Sequence, residues 1–214
     1  MRIFWLGLAV LSTSFAQPLS SEETKELLER LSAQRAGRTI QAEFVERKSI
    51  PMMRDPVVEE GTIAFEAPDK FFRRTKSGSL AISDGRELWM YYPEFSQAEN
   101  YRLDKRSGPG ELLLALSRIF QLHDMGATFR VTVEQTQNGW RLTLRPRASA
   151  IRRFVREARL DLDANLSLRS SLIESPSGDR TETDYSNERI GPAGSVDFRF
   201  VPPPGTTVVS PDRS

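Results

Sequence analysis

The sequence predicts a mainly β fold with a few helices, built as one antiparallel meander. Apolar residues alternate with period two over most of the chain, and tight-turn dipeptides separate the alternating runs. Two leucine-rich segments have helical spacing instead. A meander of this length must close into a barrel, curl, or split into two packed sheets. No linker or change in composition divides it, so we predict a single domain over residues 17–214.

The first residues have the three parts of a secretory signal peptide. Arg2 supplies the positive start, residues 3–11 the apolar stretch, and residues 14–16 (Ser-Phe-Ala) a small-x-small cleavage site. The apolar run is too short to be a stable membrane span. We therefore predict that residues 1–16 are a signal peptide, cleaved after Ala16 on export to the periplasm. An N-terminal anchor or a buried helix is the alternative.

The charge balance and the lack of cysteine exclude several function classes. The chain has 30 basic and 29 acidic side chains, and the predicted leader contains only Arg2 among them, so the mature chain is formally neutral. A neutral chain has no global electrostatic attraction to nucleic acid or acidic membranes. Because no cysteine is present, thiol catalysis and cysteine metal sites are excluded, and the core must hold the fold without disulfides.

The mature chain opens with an amphipathic helix. Ser20 and Glu23 form a capping-box pattern, and Leu27 and Leu31 lie on one face at helical spacing. Gly37 is a plausible stop signal. The leucine face must pack on another element of the fold.

A second segment with helical spacing interrupts the strands. Residues 110–122 are apolar on nearly every side of a helix, which predicts a buried helix. In a protein with one curled sheet, its natural place is the concave face. An ordinary core helix is the alternative.

Elsewhere the apolar residues alternate as in strands. The clearest alternating runs cover residues 62–66, 80–82, 88–92, 129–133, 140–144, 158–162, 166–168 and 196–200. Asp84-Gly85 and Asn138-Gly139 separate neighbouring runs, which is a strong signal for hairpins. We expect the run with Val196, Phe198 and Phe200 to be the last strand, because three prolines follow it.

Residues 45–60 depart from this alternation. Pro51 and Pro56 interrupt ladder pairing, and Met52 and Met53 between them are adaptable apolar side chains. Two interpretations remain open. The segment is either a mobile flap at the mouth of a cavity or a long hairpin loop with two half-buried methionines.

The sequence offers little for catalysis or metal binding. The single histidine, His123, lies beside Asp124, but there is no Gly-x-Ser-x-Gly turn, phosphate-binding glycine loop or dinucleotide fingerprint. Asp161 and Asp163 have a calcium-like spacing but lack the glycine and distal glutamate of a calcium site, so a turn is the better interpretation. We predict a protein without enzyme activity, cofactor or metal.

A cluster of arginines lies in the second half of the chain. Its members are Arg145, Arg147, Arg152, Arg153, Arg156 and Arg159. We favour a solvated strand face balanced by acids elsewhere. A site for phosphate head groups or an acidic partner is the alternative.

Several longer motifs resemble one known family. Residues 83–93 (SDGRELWMYYP), followed by Gln97, resemble the signature hairpin of LolA-like outer-membrane lipoprotein carriers. Residues 198–205 (FRFVPPPG) resemble the closing strand of that family, and residues 41–44 and 61–72 fit its first strands. Order and spacing match along essentially the whole mature chain.

The resemblance implies an incomplete, strongly curled antiparallel β-barrel, with helices covering the concave apolar face as a lid over a cavity. Such carriers accept acylated lipoproteins from an inner-membrane lipoprotein-releasing transporter and ferry them across the periplasm to an outer-membrane acceptor. We therefore expect a carrier for the acyl chains of lipoproteins or of another envelope lipid. The alternative is an envelope lipid or lipoprotein sensor that regulates a stress response. We expect a monomer that does not bind nucleic acid.

Two positions bear on the mechanism that the resemblance implies. The family has an arginine just before the proline that matches Pro68, and this arginine bonds the lid helices. Here the position is Ala67, so we expect the lid to be held by apolar contacts or by a substitute donor such as Arg73 or Arg74. The family aromatic that helps in docking to the transporter is kept as Phe71.

A set of cavity residues follows from the period-two alternation opposite two leucine-rich helices. The predicted lining residues are Ile63, Phe65, Leu80, Ile82, Met90, Leu142, Leu160 and Phe200. The predicted lid contacts are Leu27, Leu31, Leu113 and Leu116. The alternation gives relative faces only, so the choice of the inner face rests on residue size.

Overall fold

The computed structural model describes residues 18–103 and 125–210. Helix α1 (Ser21–Arg35) begins at the predicted capping box: the Ser20 hydroxyl accepts from the Glu23 amide at 3.3 Å, and the Glu23 carboxylate accepts from the Ser20 amide at 2.8 Å. The helix ends before Gly37, whose φ of 63° is in the left-handed region that favours glycine. Local capping chemistry therefore sets both helix ends as the sequence predicts.

Within the described residues, the remaining elements are twelve strands and three short helical turns. The strands are β1 (Arg38–Ser49), β2 (Val57–Glu66), β3 (Lys70–Thr75), β4 (Leu80–Asp84), β5 (Glu87–Tyr92), β6 (Gln97–Arg102), β7 (Phe129–Thr136), β8 (Gly139–Pro146), β9 (Glu157–Asp163), β10 (Leu168–Glu174), β11 (Arg180–Pro192) and β12 (Thr207–Val209). The short elements are a 3-10 turn (Pro93–Phe95), α2 (Met125–Thr128) and α3 (Ser149–Arg152).

All twelve strands form one open, curled sheet in the order β12-β6-β5-β4-β3-β2-β1-β11-β10-β9-β8-β7. Neighbouring strands are antiparallel except β12, which pairs with β6 in parallel. The long pairing of β1 with β11 joins the two meanders, β2–β6 and β7–β10. Because β12 and β7 are the two ends of the sheet, the barrel is incomplete, as predicted.

The predicted hairpin turns are present, and each has a clear structural cause. Between β4 and β5, Gly85 has a φ of 95° and the Asp84 carboxylate accepts from the amides of Arg86 and Glu87. At the start of β8, a Cβ on Gly139 would lie 2.2 Å from the carbonyl oxygen of Leu162, so only glycine fits. These turns set the register of the strands that follow.

The sheet has an inner face, defined here as the face that packs against α1. Residues directly opposite each other in a ladder share a face, so the register traces the inner face from strand to strand. One row runs from Leu142 through Leu160, Ser171 and Thr183 to Glu46. The inner face is therefore apolar under α1 and becomes polar toward β11 and β1.

The core lies between α1 and this inner face. Its buried members include Leu27, Leu31, Phe44, Ile63, Phe65, Phe71, Phe129, Val133, Leu142, Leu144, Leu160, Leu162 and Tyr185. The helix supplies Leu27 and Leu31, both buried, as the leucine spacing predicts. Packing of the helix on the sheet thus contributes much of the stability, because burial of each large apolar side chain contributes about 1.5–3 kcal/mol.

The prediction of a last strand through Val196, Phe198 and Phe200 is wrong. These residues are not in a strand, and the last strand is instead β12. The Phe200 ring packs on the rings of Trp89 and Tyr91, with centroids 5.7 and 5.4 Å away. The alternating aromatics therefore cover the outer face of the sheet and do not extend a ladder.

Candidate functional site

A cavity of about 630 Å³ opens on the inner face between the two meanders. One wall comes from β1–β5 and is formed by Phe44, Ile63, Phe71, Ala81 and Met90, together with charged side chains. The opposite wall comes from β10, β11 and the segment after α3. The volume lies within the range of about 300–1,000 Å³ that is usual for small-molecule sites.

The second wall is partly apolar and partly rich in hydroxyl groups. Phe154, Val155 and Ile173 supply its apolar part. Its polar part contains Ser175, Ser177, Thr181, Thr183 and Tyr185. The cavity is therefore amphipathic, with room for both a hydrocarbon segment and polar groups.

An ion-pair cluster lies in the floor of this cavity. One Arg73 nitrogen donates to the carboxylates of Glu46 at 3.0 Å and Glu59 at 2.8 Å. The guanidinium carbon also lies 4.5 Å from the centroid of the Phe44 ring, a cation–π distance. Thr183 donates to Glu46 at 3.5 Å. These contacts hold Arg73 in place beside the apolar side chains of the wall.

A tyrosine extends the polar part of the cavity. The Tyr185 hydroxyl lies 3.1 Å from the Ser171 hydroxyl, and both residues are buried. Burial raises the pKa of Tyr185 well above its ordinary value, because the charged form would lose its hydration. Tyr185 is therefore a neutral hydrogen-bonding group at any physiological pH.

Five of the eight predicted lining residues lie on the inner face. Ile63 and Met90 line the cavity itself. Phe65, Leu142 and Leu160 are buried in the core cluster beside it.

The other three predicted lining residues lie on the opposite face, which corrects their expected position. Leu80 faces Tyr91 and Ile82 faces Trp89 in the ladder, whereas Met90 faces Ala81. Phe200 stacks on the same two outer aromatics. Both faces of β4 and β5 are apolar because the C-terminal segment covers the outer one, so residue size could not identify the inner face.

The lid residues are only partly described. Leu27 and Leu31 of α1 pack into the core as expected for a helix that covers the inner face. Leu113, Leu116 and His123 lie outside the described residues. A second cavity of about 560 Å³ lies between α1 and β7 and has Leu28, Phe129 and Val131 in its lining.

Phe71, expected as a docking residue, is buried in the cavity wall. Its ring centroid lies 5.4 Å from that of Phe65. A ring in this position lines the cavity and is not presented on the surface of the protein. Arg74, one of the two candidate substitute donors, lies on the outer face, where its guanidinium covers Phe72.

All six arginines of the cluster are exposed and three of them form ion pairs, which supports the interpretation of a solvated face. Arg145 and Arg159 donate to Glu157, and Arg156 donates to Glu174. Exposed pairs of this kind contribute about 0–1 kcal/mol each.

Asp161 and Asp163 are both held by arginine and by polar groups of the turn. Asp161 accepts from Arg141 and from the Ser170 hydroxyl, and Asp163 accepts from Arg169 and from the turn amides. Among residues 18–103 and 125–210, no group of three or more histidine or acidic side chains could hold a metal ion.

The comparison with known families decides the identity of the fold. A family model described as outer membrane lipoprotein carrier protein LolA matches residues 35–200. The chain belongs to the LolA family. An outer-membrane lipoprotein carrier protein of Bordetella bronchiseptica is 26% identical over 198 residues, covering 91% of this chain and 90% of the relative. One from Pectobacterium atrosepticum is 24% identical over 151 residues, covering 70% of each chain.

A solved structure shares the same fold. An uncharacterized conserved protein from Thermus thermophilus has a TM-score of 0.51 at 11% identity, covering 87% of this chain and 99% of that protein. Within the described part of this LolA-family chain, no helix is long and apolar enough to cross a membrane.

In this LolA-family chain, the turn at Ala67 is built around a carboxylate. Ala67 is half-buried between β2 and β3 and has a cis bond to the following proline. Glu66 beside it accepts from Thr39 at 2.6 Å, from Lys70 at 2.7 Å and from the amide of Gly194 at 2.6 Å. Burial alone would raise the pKa of Glu66, but these hydrogen bonds outweigh it and lower the pKa to about 2.

A different arginine ties α1 to the sheet. Arg35 at the helix end is buried and donates to the carbonyl oxygen of Leu166 at 3.0 Å and to Glu188 at 3.2 Å. By contrast, the contacts described for Arg73 stay within the sheet. No sequence pattern indicates this role of Arg35, because its partners lie more than 130 residues away in the chain.

Proposed function

We propose that this protein is a carrier that binds acyl chains of lipoproteins, or of another envelope lipid, in the inner-face cavity and ferries them toward the outer membrane. The observation that supports this most is the apolar wall of Phe44, Ile63, Phe71 and Met90 beside an unfilled volume of about 630 Å³. The relatives are named outer-membrane lipoprotein carrier proteins, which supports a lipoprotein as the cargo.

The size and lining of the cavity suit part of an acyl chain. Burial of each CH₂ group contributes about 0.8 kcal/mol, so a segment of about ten groups contributes about 8 kcal/mol before the costs of association. The hydroxyl-bearing wall would then face the polar end of the lipid. No reaction is needed for this function, and we propose that the protein is not an enzyme.

The partners and the location belong to the same proposal. The cargo would be received from an inner-membrane lipoprotein-releasing transporter and passed to an outer-membrane acceptor. The chain would act in the periplasm as a single-domain monomer after removal of residues 1–16.

A cavity-filling variant tests the proposal. Ala81 lines the cavity, so Ala81→Trp should occupy the space that an acyl chain would take. Ala164 is exposed in the turn between β9 and β10, so Ala164→Trp is a matched control with the same change in size. We expect Ala81→Trp to lower the affinity for a fluorescent fatty acid at least about tenfold, which corresponds to the loss of two buried CH₂ groups or more.

Lipid extraction and native mass spectrometry of protein purified from a periplasmic fraction would identify the natural cargo. The proposal is contradicted if the folded wild type binds no acylated probe, or if the two variants bind it equally well. Hydrolysis of ester, phosphate or glycoside substrates above background would contradict the non-enzymatic part.

A further inference from the structure

The β1–β2 hairpin projects two methionines into solvent. The side chain of Met52 is 97% exposed and that of Met53 is 50% exposed. The Met53 amide donates to the carbonyl oxygen of Ile50 at 2.9 Å, which closes a turn with Pro51 and Met52 at its centre. Proline is favoured at this position of a turn because its φ is already fixed. The turn therefore presents Met52 at its apex in a defined position, fully exposed, whereas Met53 is half-buried.

The hairpin extends beyond the neighbouring part of the sheet. The pairing of β2 with β3 stops at Gly61, whereas the pairing of β2 with β1 continues to Val57. Four residues at a rise of about 3.3 Å each give an overhang of about 13 Å past β3. On its other side the hairpin tip touches the β10–β11 turn: a Cβ on Gly178 would lie 3.3 Å from the Pro51 ring. The β10–β11 turn therefore supports the tip on one side, and on the other side β3 does not extend as far as the tip.

This projection stands at the mouth of the inner-face cavity. Lys48 and Glu59, at the base of the hairpin, line the cavity, as do Ser177 and Asp179 of the neighbouring β10–β11 turn. Phe154 also lines the mouth and is partly exposed. We call Met52, Met53 and Phe154, with the charged residues beside them, the lip of the cavity.

The charges of the lip balance. Lys48, Arg54 and Arg153 are exposed there, and the acids Asp55, Glu59 and Asp179 lie beside them. Because basic and acidic groups are equal in number, apolar contact carries the interaction and net electrostatic attraction does not. Exposed apolar side chains on a protruding turn, with charged side chains beside them that can reach the head groups, suit the region between the head groups and acyl chains of a bilayer.

We propose that the lip of the cavity inserts into the surface of a phospholipid bilayer. The proposal rests on the acyl-carrier function proposed above, because it supplies a path for that cargo. An acyl chain that crossed water on its way to the cavity would expose its CH₂ groups to water. Each exposed group lowers the equilibrium constant for leaving the membrane by about a factor of four. A lip that inserts beside the transporter or the acceptor keeps the mouth of the cavity at the membrane surface, so the chain stays in apolar surroundings during the handover.

Flotation with vesicles tests the proposal with the mature chain without cargo. Met52→Ser combined with Met53→Ser removes the apolar apex. Val201 and Val208 are 84% and 48% exposed and are absent from the described lining of the cavity, so Val201→Ser combined with Val208→Ser is a matched control. With vesicles of phosphatidylethanolamine and phosphatidylglycerol, we expect the lip variant to bind about tenfold more weakly and the control to bind like the wild type.

A second measurement locates the contact directly. A tryptophan in the variant Met52→Trp should be quenched by lipids brominated in their acyl chains, whereas a tryptophan in Val201→Trp should not. The proposal is overturned if the wild type does not float with vesicles, or if the two serine variants bind vesicles equally well. It is also overturned if the two tryptophans are quenched equally, or if the tip binds a protein partner and no vesicle. Binding of a fluorescent fatty acid in solution is measured separately, so loss of the carrier function and loss of membrane contact are distinguishable.

Discussion

Replacement of Arg35 by methionine should loosen the attachment of α1 to the sheet. Arg35 is 2% exposed and its one donating nitrogen contacts both the Leu166 carbonyl and Glu188. Within the described residues, its other two nitrogens have no hydrogen-bond partner. Methionine keeps much of the length of the side chain while removing the charge, so the variant tests the polar contacts and not the volume.

The expected magnitude follows from what the variant leaves behind. Loss of one partner of a buried ion pair costs about 3–5 kcal/mol, because the other charge stays buried without compensation. Glu188 still accepts from the amide of Leu168 at 3.2 Å, which places the cost near the lower limit. About 3 kcal/mol in a domain of this size lowers Tm by roughly 6–12 °C.

Thermal and urea denaturation of four proteins measure this coupling: the wild type, Arg35→Met, Glu188→Gln and the double variant. We expect the double variant to be more stable than the sum of the two single changes predicts, because no unpaired charge remains. Amide exchange along α1 should accelerate in Arg35→Met, together with the release of a bound fluorescent fatty acid. Strictly additive effects, or unchanged exchange in α1 despite a lower Tm, would refute the assignment of Arg35 as the attachment of this helix.

Two further predictions concern the turn between β2 and β3. Because the pKa of Glu66 is lowered from 4.5 to about 2 in the folded protein, its contribution of about 3 kcal/mol is present above pH 4.5 and is lost as the pH falls toward 2. Urea denaturation of Glu66→Gln should show a smaller loss of stability than the wild type over that interval, and parallel curves would contradict this. Ala67→Arg should change the release rate of a bound acyl fluorophore if this position can act on the lid as in the family. Equal rates in two folded proteins would mean that the position does not gate this cavity.

The elements that could be predicted from the sequence are those with local causes. The helix start at Ser20 and the turn at Gly85 depend on residues within a few positions of each other. The run with Phe198 and Phe200 alternates like a strand, yet Phe200 packs on the face of β5. Alternation of apolar residues shows that their side chains lie on the same side of an extended backbone. It does not show whether that backbone pairs with a neighbouring strand.

The candidate site was predicted less completely because its contacts are distant in sequence. The inner-face positions of Ile63 and Met90 followed from alternation and residue size. The positions of Leu80 and Ile82 did not, since a covering segment more than 100 residues away makes the outer face apolar as well. Arg73 could have been noticed as a charge on the same side of β3 as Phe71, but its partners Glu46 and Glu59 come from two other strands.

The polar floor of the cavity has a consequence for transport. A carrier must release its cargo, and a fully apolar cavity would hold a long acyl chain too tightly, since each further CH₂ group adds about 0.8 kcal/mol. The ion pairs of Arg73 and the hydroxyl groups of Thr183 and Tyr185 interrupt the apolar wall. These polar groups limit the length of acyl chain that can be buried against apolar side chains. They are hydrogen-bonded to other groups within the protein. For the carrier proposed above, we therefore expect a moderate affinity for acyl chains, which would permit transfer of the cargo onward.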